Sequence, residues 1–188
     1  MSAAAQRILT AAAERLAARG PAGLSMQDVA VAAEVSKGLI HYHFHDKETL
    51  LARVADWVTE ECLMREQEAL ARVDAATALD AVWMWLTAEI AAGQRRLLFD
   101  LAVEAGPVLR ETLARSAVAR RAQATDTVRA VFRAFGITPR VSVAALGELL
   151  ASVVDGLVVA AAVDAGRDRR AVFDAFWLGM LALGRETP

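Results

Sequence analysis

Apolar residues recur along this chain at intervals of three and four, the spacing that lines one face of an α-helix, and runs of alternating β-branched residues are absent. The first stripe, Ile8, Leu9, Ala12, Ala13 and Leu16, predicts a helix over about Ala4–Arg19, and Gly20 and Pro21 follow in the order that stops one. Ser25 then caps a second helix, with Asp28 three places on able to join the cap and Val29, Ala30 and Ala33 as a small apolar face. Glu34 and Val35 make a tight connection. Ser36 caps a third helix over Lys37 to about His43. Asp46 caps a fourth from Lys47 to about Ala71, with Leu50, Leu51, Val54, Trp57, Val58 and Met64 inward. Further helices are predicted over about Thr77–Ala92, Gln94–Glu104, Val108–Phe135, Val141–Ala165 and Asp168–Leu183, broken at Gly93, Gly106-Pro107, Gly136 to Pro139 and Gly166. The expected fold is all-α with about nine helices. The last two are apolar on more than one face, so a partner chain is a natural cover.

Composition adds limits rather than an activity. The apolar fraction of 56% supports a buried core and argues against wholesale disorder. The formal net charge of -2 does not announce a nucleic-acid binder, but a small DNA-reading module can sit in a near-neutral chain. One cysteine, Cys62, excludes an intrachain disulfide and fits a reducing, cytoplasmic setting; a small buried hydrophobe is its ordinary role, and redox sensing would lack a resolving cysteine. Met1 to Leu16, interrupted by Gln6, Arg7, Glu14 and Arg15, does not read as a signal peptide. The most membrane-like stretch, Leu149–Val163, holds Asp155 and at 15 residues falls short of the ~20 that span a bilayer, so a buried helix and no membrane partner are expected.

Residues 25–44, SMQDVAVAAEVSKGLIHYHF, place two short helices around a tight turn with small residues at the crossing, the pattern of a helix-turn-helix. Ser36 leaves the next helix start capped with amides directed outward, which suits a phosphate. Lys37 lies at that start and Gly38 allows close backbone approach. His41, Tyr42 and His43 add polar groups at the end, and Lys47 follows in the next first turn. Such residues can hold a DNA backbone while the third helix enters the major groove.

The stretch from Ile8 to Leu51 resembles the DNA-binding domain of TetR-family regulators. The matching pieces are Ile8-Leu9, Ala11-Ala12, Gly20, Ser25, Asp28-Val29-Ala30, Ala33, Val35-Ser36-Lys37-Gly38, Tyr42-His43-Phe44, Lys47-Glu48 and Leu50-Leu51. The resemblance implies that Lys37, Tyr42 and Lys47 contact phosphates. It also implies that the exposed side of Ser25, Gln27 and Val31 and of Ser36 to His41, Leu39 included, faces DNA, with Phe44 in the core. The sequence departs from the family pattern at Glu34, where the turn usually has Gly; at Leu39, usually Thr, which can meet a thymine methyl; and at His41, usually aromatic. A left-handed Glu34 would cost roughly 1–2 kcal/mol. Within residues 1–50, Arg7, Arg15, Arg19, Lys37 and Lys47 are matched by Glu14, Asp28, Glu34, Asp46 and Glu48, so affinity must come from placed contacts rather than long-range steering. The chain's three histidines, His41, His43 and His45, all lie here, and protonation would add positive charge. As a metal site their i, i+2, i+4 spacing splays them apart, so no metal and no cofactor are expected.

Beyond residue 50 no phosphate loop, zinc signature or nucleophile elbow occurs, and an enzyme is not expected. The reading is two domains, a helix-turn-helix DNA-binding domain over 1–50 and an effector-binding and dimerisation domain over 51–188. In TetR-like proteins the second is a helical bundle that encloses a ligand cavity and dimerises through its last two helices. Asp155-Gly156-Leu157 looks like part of the family's eighth helix. Gly156, Val159, Phe173, Phe176, Trp177 and Met180 are then candidates for the homodimer interface. Trp83, Leu86 and Phe99 are candidates for a largely apolar effector pocket, although such stripes also serve as plain core. On a helical wheel of Val108–Phe135, Arg121 falls within the apolar arc of Leu113, Ala117, Val128, Val131, Phe132 and Phe135. An inward arginine needs an anion: Asp155, Glu104 or an acidic effector. The expected activity is that of a ligand-responsive repressor, a homodimer on palindromic double-stranded DNA released by a small molecule. Two rivals stand beside it: a ligand-binding helical protein without DNA binding, and a helical enzyme using His41 or His43 as a base.

Overall fold

A computed structural model describes residues 2–71, 73–103 and 105–186. Among these the elements run α1 (Ala3–Arg19), α2 (Met26–Ala32), α3 (Lys37–Phe44), α4 (Lys47–Leu70), α5 (Ala78–Ala92), α6 (Gln94–Val103), α7 (Pro107–Ala134), β1 (Ile137–Pro139), α8 (Val143–Val163), α9 (Arg170–Ala182) and β2 (Gly184–Glu186). Each predicted helix is present, with ends moved by at most two residues. The chain forms two compact units, Met1–Glu61 with Gly93–Ala117, and Cys62–Ala92 with Val118–Pro188. The first unit therefore takes in α6 and the start of α7 as well as the first 50 residues.

In the first unit, the Ser2 hydroxyl accepts the Ala5 N–H at the start of α1, and Gly20, at φ 70°, ends it with its own N–H on the Leu16 carbonyl. The stripe read from the sequence is buried there: Ile8, Leu9, Ala12, Ala13 and Leu16. α1 packs against α2 and α6, and α2 against α3. Leu50, Val54 and Val58 bring α4 into the same core. Thr59 donates to the Ser116 hydroxyl at 2.9 Å in that interior, a pairing that spares two buried hydroxyls an unsatisfied state. Further along α4 the sequence expectation fails at Met64, which is 46% exposed, because Cys62 takes the buried position instead.

In the second unit α5 packs against α8 and α9. Val82, Leu86, Val128, Phe132, Leu150, Val154, Phe173 and Trp177 form its centre. β1 and β2 pair antiparallel, with Thr138 opposite Arg185. These three-residue strands were read as a break and a helix end, since they are too short to show a period of two. α8 is also longer than the apolar stretch seen in the sequence. It has 21 residues and is, by length and composition alone, able to cross a membrane. Its inner face, Leu146, Leu150, Ala151, Val154, Leu157 and Val158, is nevertheless buried within this unit.

α7 and α8 approach each other closely at Gly147. A Cβ there would stand 2.1 Å from the Thr125 hydroxyl and 2.7 Å from the Thr125 Cα, so backbone would have to move. Gly147→Ala is expected to cost roughly 1–3 kcal/mol through overpacking. Thermal unfolding checks this: the midpoint should fall by about 2–4 °C for each kcal/mol.

Candidate functional site

Three caps set the local geometry around α3. The Ser25 hydroxyl accepts the Asp28 N–H at 3.0 Å to start α2, and the Ser36 hydroxyl accepts the Leu39 N–H at 3.2 Å to start α3. Asp46 Oδ1 accepts the Thr49 N–H at 2.7 Å at the entry to α4. Between α2 and α3 Glu34 adopts φ 54°, a positive value at the position where the resembling family usually has Gly, and Val35 donates to the Ala30 carbonyl at 3.0 Å. Between α3 and α4, His45 also has a positive φ, 46°, here with ψ -60°.

With its ends fixed, α3 divides cleanly. Ile40 and Phe44 are buried, whereas Ser36, Lys37, Gly38, His41 and Tyr42 are exposed and Leu39 and His43 are half-exposed. Tyr42 shows 76% of its surface and Val31 on α2 shows 66%. Ser25 and Gln27 share the exposed condition. A Cβ on Gly38 would meet only the Ser36 hydroxyl, at 3.9 Å, so the helix start is open to an approaching group. The His41 ring nitrogen Nδ1 donates to the His45 carbonyl at 2.9 Å, and His45 Nδ1 to the His41 carbonyl at 3.3 Å. Both imidazoles thus close the end of α3, while His43 stands edge-on to Tyr42 at 5.2 Å.

Lys47 differs from the expectation of an outward phosphate contact. It is half-buried and its Nζ donates to the Pro21 carbonyl at 2.8 Å, tying α4 to the turn after α1. That bond joins residues 26 positions apart, so helical periodicity could not show it.

The candidate effector residues fall in both units. Trp83 packs against Phe173 with the rings tilted at 54° and 5.1 Å apart, and the Arg170 guanidinium lies over both at 5.6 and 5.8 Å. Hydrogen bonds to Asp80 and Asp174 raise the Arg170 pKa above its ordinary value. Leu86 is fully buried in the second unit, and Phe99 lies on α6 in the first. Arg121 is not the inward arginine. Its side chain is 42% exposed and pairs with Glu148 at 3.2 Å. Its neighbour Arg120 is buried and holds Asp155 at 3.0 and 3.1 Å. Glu104, the other candidate partner, lies outside the described residues. The helical wheel pointed to the wrong arginine because the buried side of α7 carries polar residues, Thr112, Ser116, Arg120, Gln123 and Thr127, as well as apolar ones such as Val128 and Phe132.

That polar side belongs to a set of buried pairs the sequence reading missed. Thr127 donates to Glu66 at 2.6 Å, Gln67 to Gln123 at 2.9 Å, and Arg65 grips Glu89 through two nitrogens. A signal existed for Glu89: it falls on the same helical face as Val82, Trp85 and Leu86. The candidate dimer residues also divide. Phe173, Trp177 and Met180 are buried in the chain's own core and are corrected to that role. Gly156, Val159 and, in part, Phe176 remain accessible. On the same two helices Leu149, Val163, Val172 and Leu178 are exposed by 45, 87, 49 and 71%.

Comparison with known proteins agrees with the local geometry. Residues 8–54 match the model of a family described as bacterial regulatory proteins, tetR family. Among curated proteins, none matches this chain. Several solved structures share the fold across the chain. A transcriptional regulator from Rhodococcus sp. Rha1 has a TM-score of 0.75 and 22% identity, covering 98% of this chain and 99% of its own. Regulatory protein TetR from Rhodobacter sphaeroides has a TM-score of 0.74 and 15% identity, covering 98% and 100%. The regulator FadR from Bacillus subtilis, in complex with stearoyl-CoA, has a TM-score of 0.72 and 16% identity, covering 94% and 97%.

The cap at Asp46 carries a pH dependence. Hydrogen bonds from the Thr49 N–H, then from its hydroxyl, hold the Asp46 carboxyl below the usual carboxylate range. The charged form is favoured in the folded state, so its contribution is present above the unfolded value of about 3.9 and is lost as pH falls through the lower folded value. Asp46→Ala is expected to cost about 0.5–1 kcal/mol at neutral pH, the low end for a cap because solvent screens it. Urea unfolding from pH 7 to pH 3 should show this difference shrinking toward zero at the acid end.

Proposed function

We propose that this chain, whose residues 8–54 carry the DNA-binding module of the tetR family of bacterial regulatory proteins, is a ligand-responsive transcriptional repressor that binds palindromic operator DNA as a homodimer. The observation that carries the reading is α3 itself. It is capped at its start by Ser36, anchored by Ile40 and Phe44, and open to solvent along Lys37, Gly38, His41 and Tyr42. A short helix held this way can enter a major groove while α2 and the ends of α3 contact phosphates. Ser25, Gln27, Ser36, Lys37, Gly38, Leu39, His41, Tyr42 and His43 are the proposed DNA surface. Lys47 supports it by positioning rather than contact.

The second unit is read as the effector and dimerisation part. The accessible apolar strip of α8 and α9, Leu149, Gly156, Val159, Val163, Val172 and Leu178, is the proposed interface between two copies. A two-fold pair would present its α3 helices to half-sites ~34–36 Å apart. The effector is proposed to be a small, largely apolar molecule taken up near Trp83 and Leu86. Arg120 is already neutralised by Asp155, so an acidic group would find no spare cation there. FadR, caught with stearoyl-CoA, supports the idea that this fold can hold a ligand with a long apolar chain. Release then follows if the ligand prefers an arrangement of the pair that does not fit DNA, by no more than its difference in affinity for the two states. A regulator of this kind works in the cytoplasm, where its operator lies.

Selection of bound duplexes from a random pool tests the class: a palindromic consensus is expected, and no retained DNA at low ionic strength overturns it. On the selected operator, Lys37→Ala should weaken binding of all sequences about equally. The slope of log K against log salt should fall by about 0.9 for each Lys37 removed. For the interface, sedimentation should give a dimer for the wild type. Leu178→Glu, which puts two like charges into the strip, should give a monomer of unchanged helicity.

A further inference from the structure

We propose that Glu48 is a positioning residue for DNA reading, a role that rests on the function just proposed: its carboxylate caps the start of α7 and so fixes the start of α4, three residues after the end of α3. The first turn of a helix leaves amides without intrahelical partners, and a side chain at the preceding residue ordinarily accepts them. α7 has no such side chain, because it begins at Pro107 and is preceded by Gly106. Pro107 lacks an N–H, and Arg110 already donates to the Gly106 carbonyl at 2.9 Å. Val108 and Leu109 remain, and Glu48 Oε1 accepts from both, at 2.9 and 3.2 Å. The negative charge also suits the positive end of the helix.

Gly106 is what admits the carboxylate. A Cβ at that position would stand 2.5 Å from Glu48 Oε1 and 2.8 Å from its Cδ. Since the group met is the far end of a flexible side chain, a larger residue at 106 would displace Glu48 rather than unfold the unit. There is room for the displacement, since a groove of about 350 Å³ borders Glu48, Leu51, Leu101 and Leu109. Lys47, the adjacent residue, holds the Pro21 carbonyl. Two consecutive side chains therefore anchor the start of α4 in two directions, one toward the turn after α1 and one toward α7. Phe44, His45 and Asp46 connect that anchored point directly to α3. A groove-reading helix must keep its place to well under an ångström or two, so loosening this anchor degrades specific contacts first.

The sign of the effect separates positioning from plain electrostatics. Removing a carboxylate from a DNA-binding unit strengthens binding if charge alone acts. Positioning predicts the reverse. Affinity for the operator selected by the wild type, and for random duplex at the same salt, should be measured for Glu48→Ala, Glu48→Gln, Gly106→Ala and the double variant Glu48→Ala with Gly106→Ala. Circular dichroism should accompany each to confirm the fold. Glu48→Ala and Gly106→Ala should each weaken operator binding about five-fold or more while leaving random-duplex affinity within two-fold. Glu48→Gln, which keeps an acceptor oxygen, should recover part of the loss. The double variant should be no worse than Glu48→Ala alone, since both changes break the same cap. Unchanged or tighter operator binding by Glu48→Ala, or additive losses in the double variant, overturns the inference. A wild type that binds no DNA instead overturns the reading on which it rests.

Discussion

The eight-residue helix α3 cannot exist alone, and how it is held decides what the rest of the molecule can do. Helices shorter than about 12–15 residues are marginal in water, because nucleation costs more than a few hydrogen bonds return. Two side chains, Ile40 and Phe44, supply burial on one face, and Ser36 supplies the acceptor for a free amide at the start. Stability drawn from one face leaves the opposite face with no structural duty. That is why Lys37, His41 and Tyr42 can stay exposed on a helix that is nonetheless fixed. The same economy appears at α2, seven residues long, where Ser25 caps and Val29 and Ala30 bury.

Strain is tolerated on both sides of this helix. Glu34 and His45 are non-glycine residues at positive φ, each costing roughly 1–3 kcal/mol. The turn at Glu34 sets the angle between α2 and α3, and the turn at His45 sets the angle between α3 and α4. A relaxed backbone at either place would point α3 elsewhere. The compensation is visible: Val35 bonds back to Ala30, and the His41 and His45 rings close the far end on each other's carbonyls. Because residues 1–50 carry no net charge, orientation matters more here than in a strongly basic module.

What could be read from the sequence follows how local each interaction is. The stripe Ile8 to Leu16, the stop at Gly20, and the caps Ser25, Ser36 and Asp46 are all settled within four residues, and all were legible. The inward arginine was not. Arg120 and Arg121 differ by a single 100° step, and an apolar wheel cannot choose between them when Thr112, Ser116, Gln123 and Thr127 occupy the buried side. Trp177 and Phe173 looked like interface residues because apolarity alone does not tell an inner face from an outer one. The reach of Glu48 to Val108 spans 60 residues and left no local mark except the absence of a capping side chain at Gly106.

The buried pairs of the second unit bear on why such a domain would respond to a ligand at all. A core closed only by aliphatic side chains resists sliding through close packing, which another interdigitated arrangement can restore without directional partners. Arg120 with Asp155, Glu66 with Thr127 and Arg65 with Glu89 are different: each has one acceptable geometry, and separating the partners leaves a buried polar group unpaired. Helices joined in this way have discrete positions rather than a continuum. An apolar molecule inserted among them cannot replace the lost hydrogen bonds, so it must either leave all of them intact or force the helices into another fully paired arrangement. Discreteness of that kind is what turns a small difference in ligand affinity into a change of state.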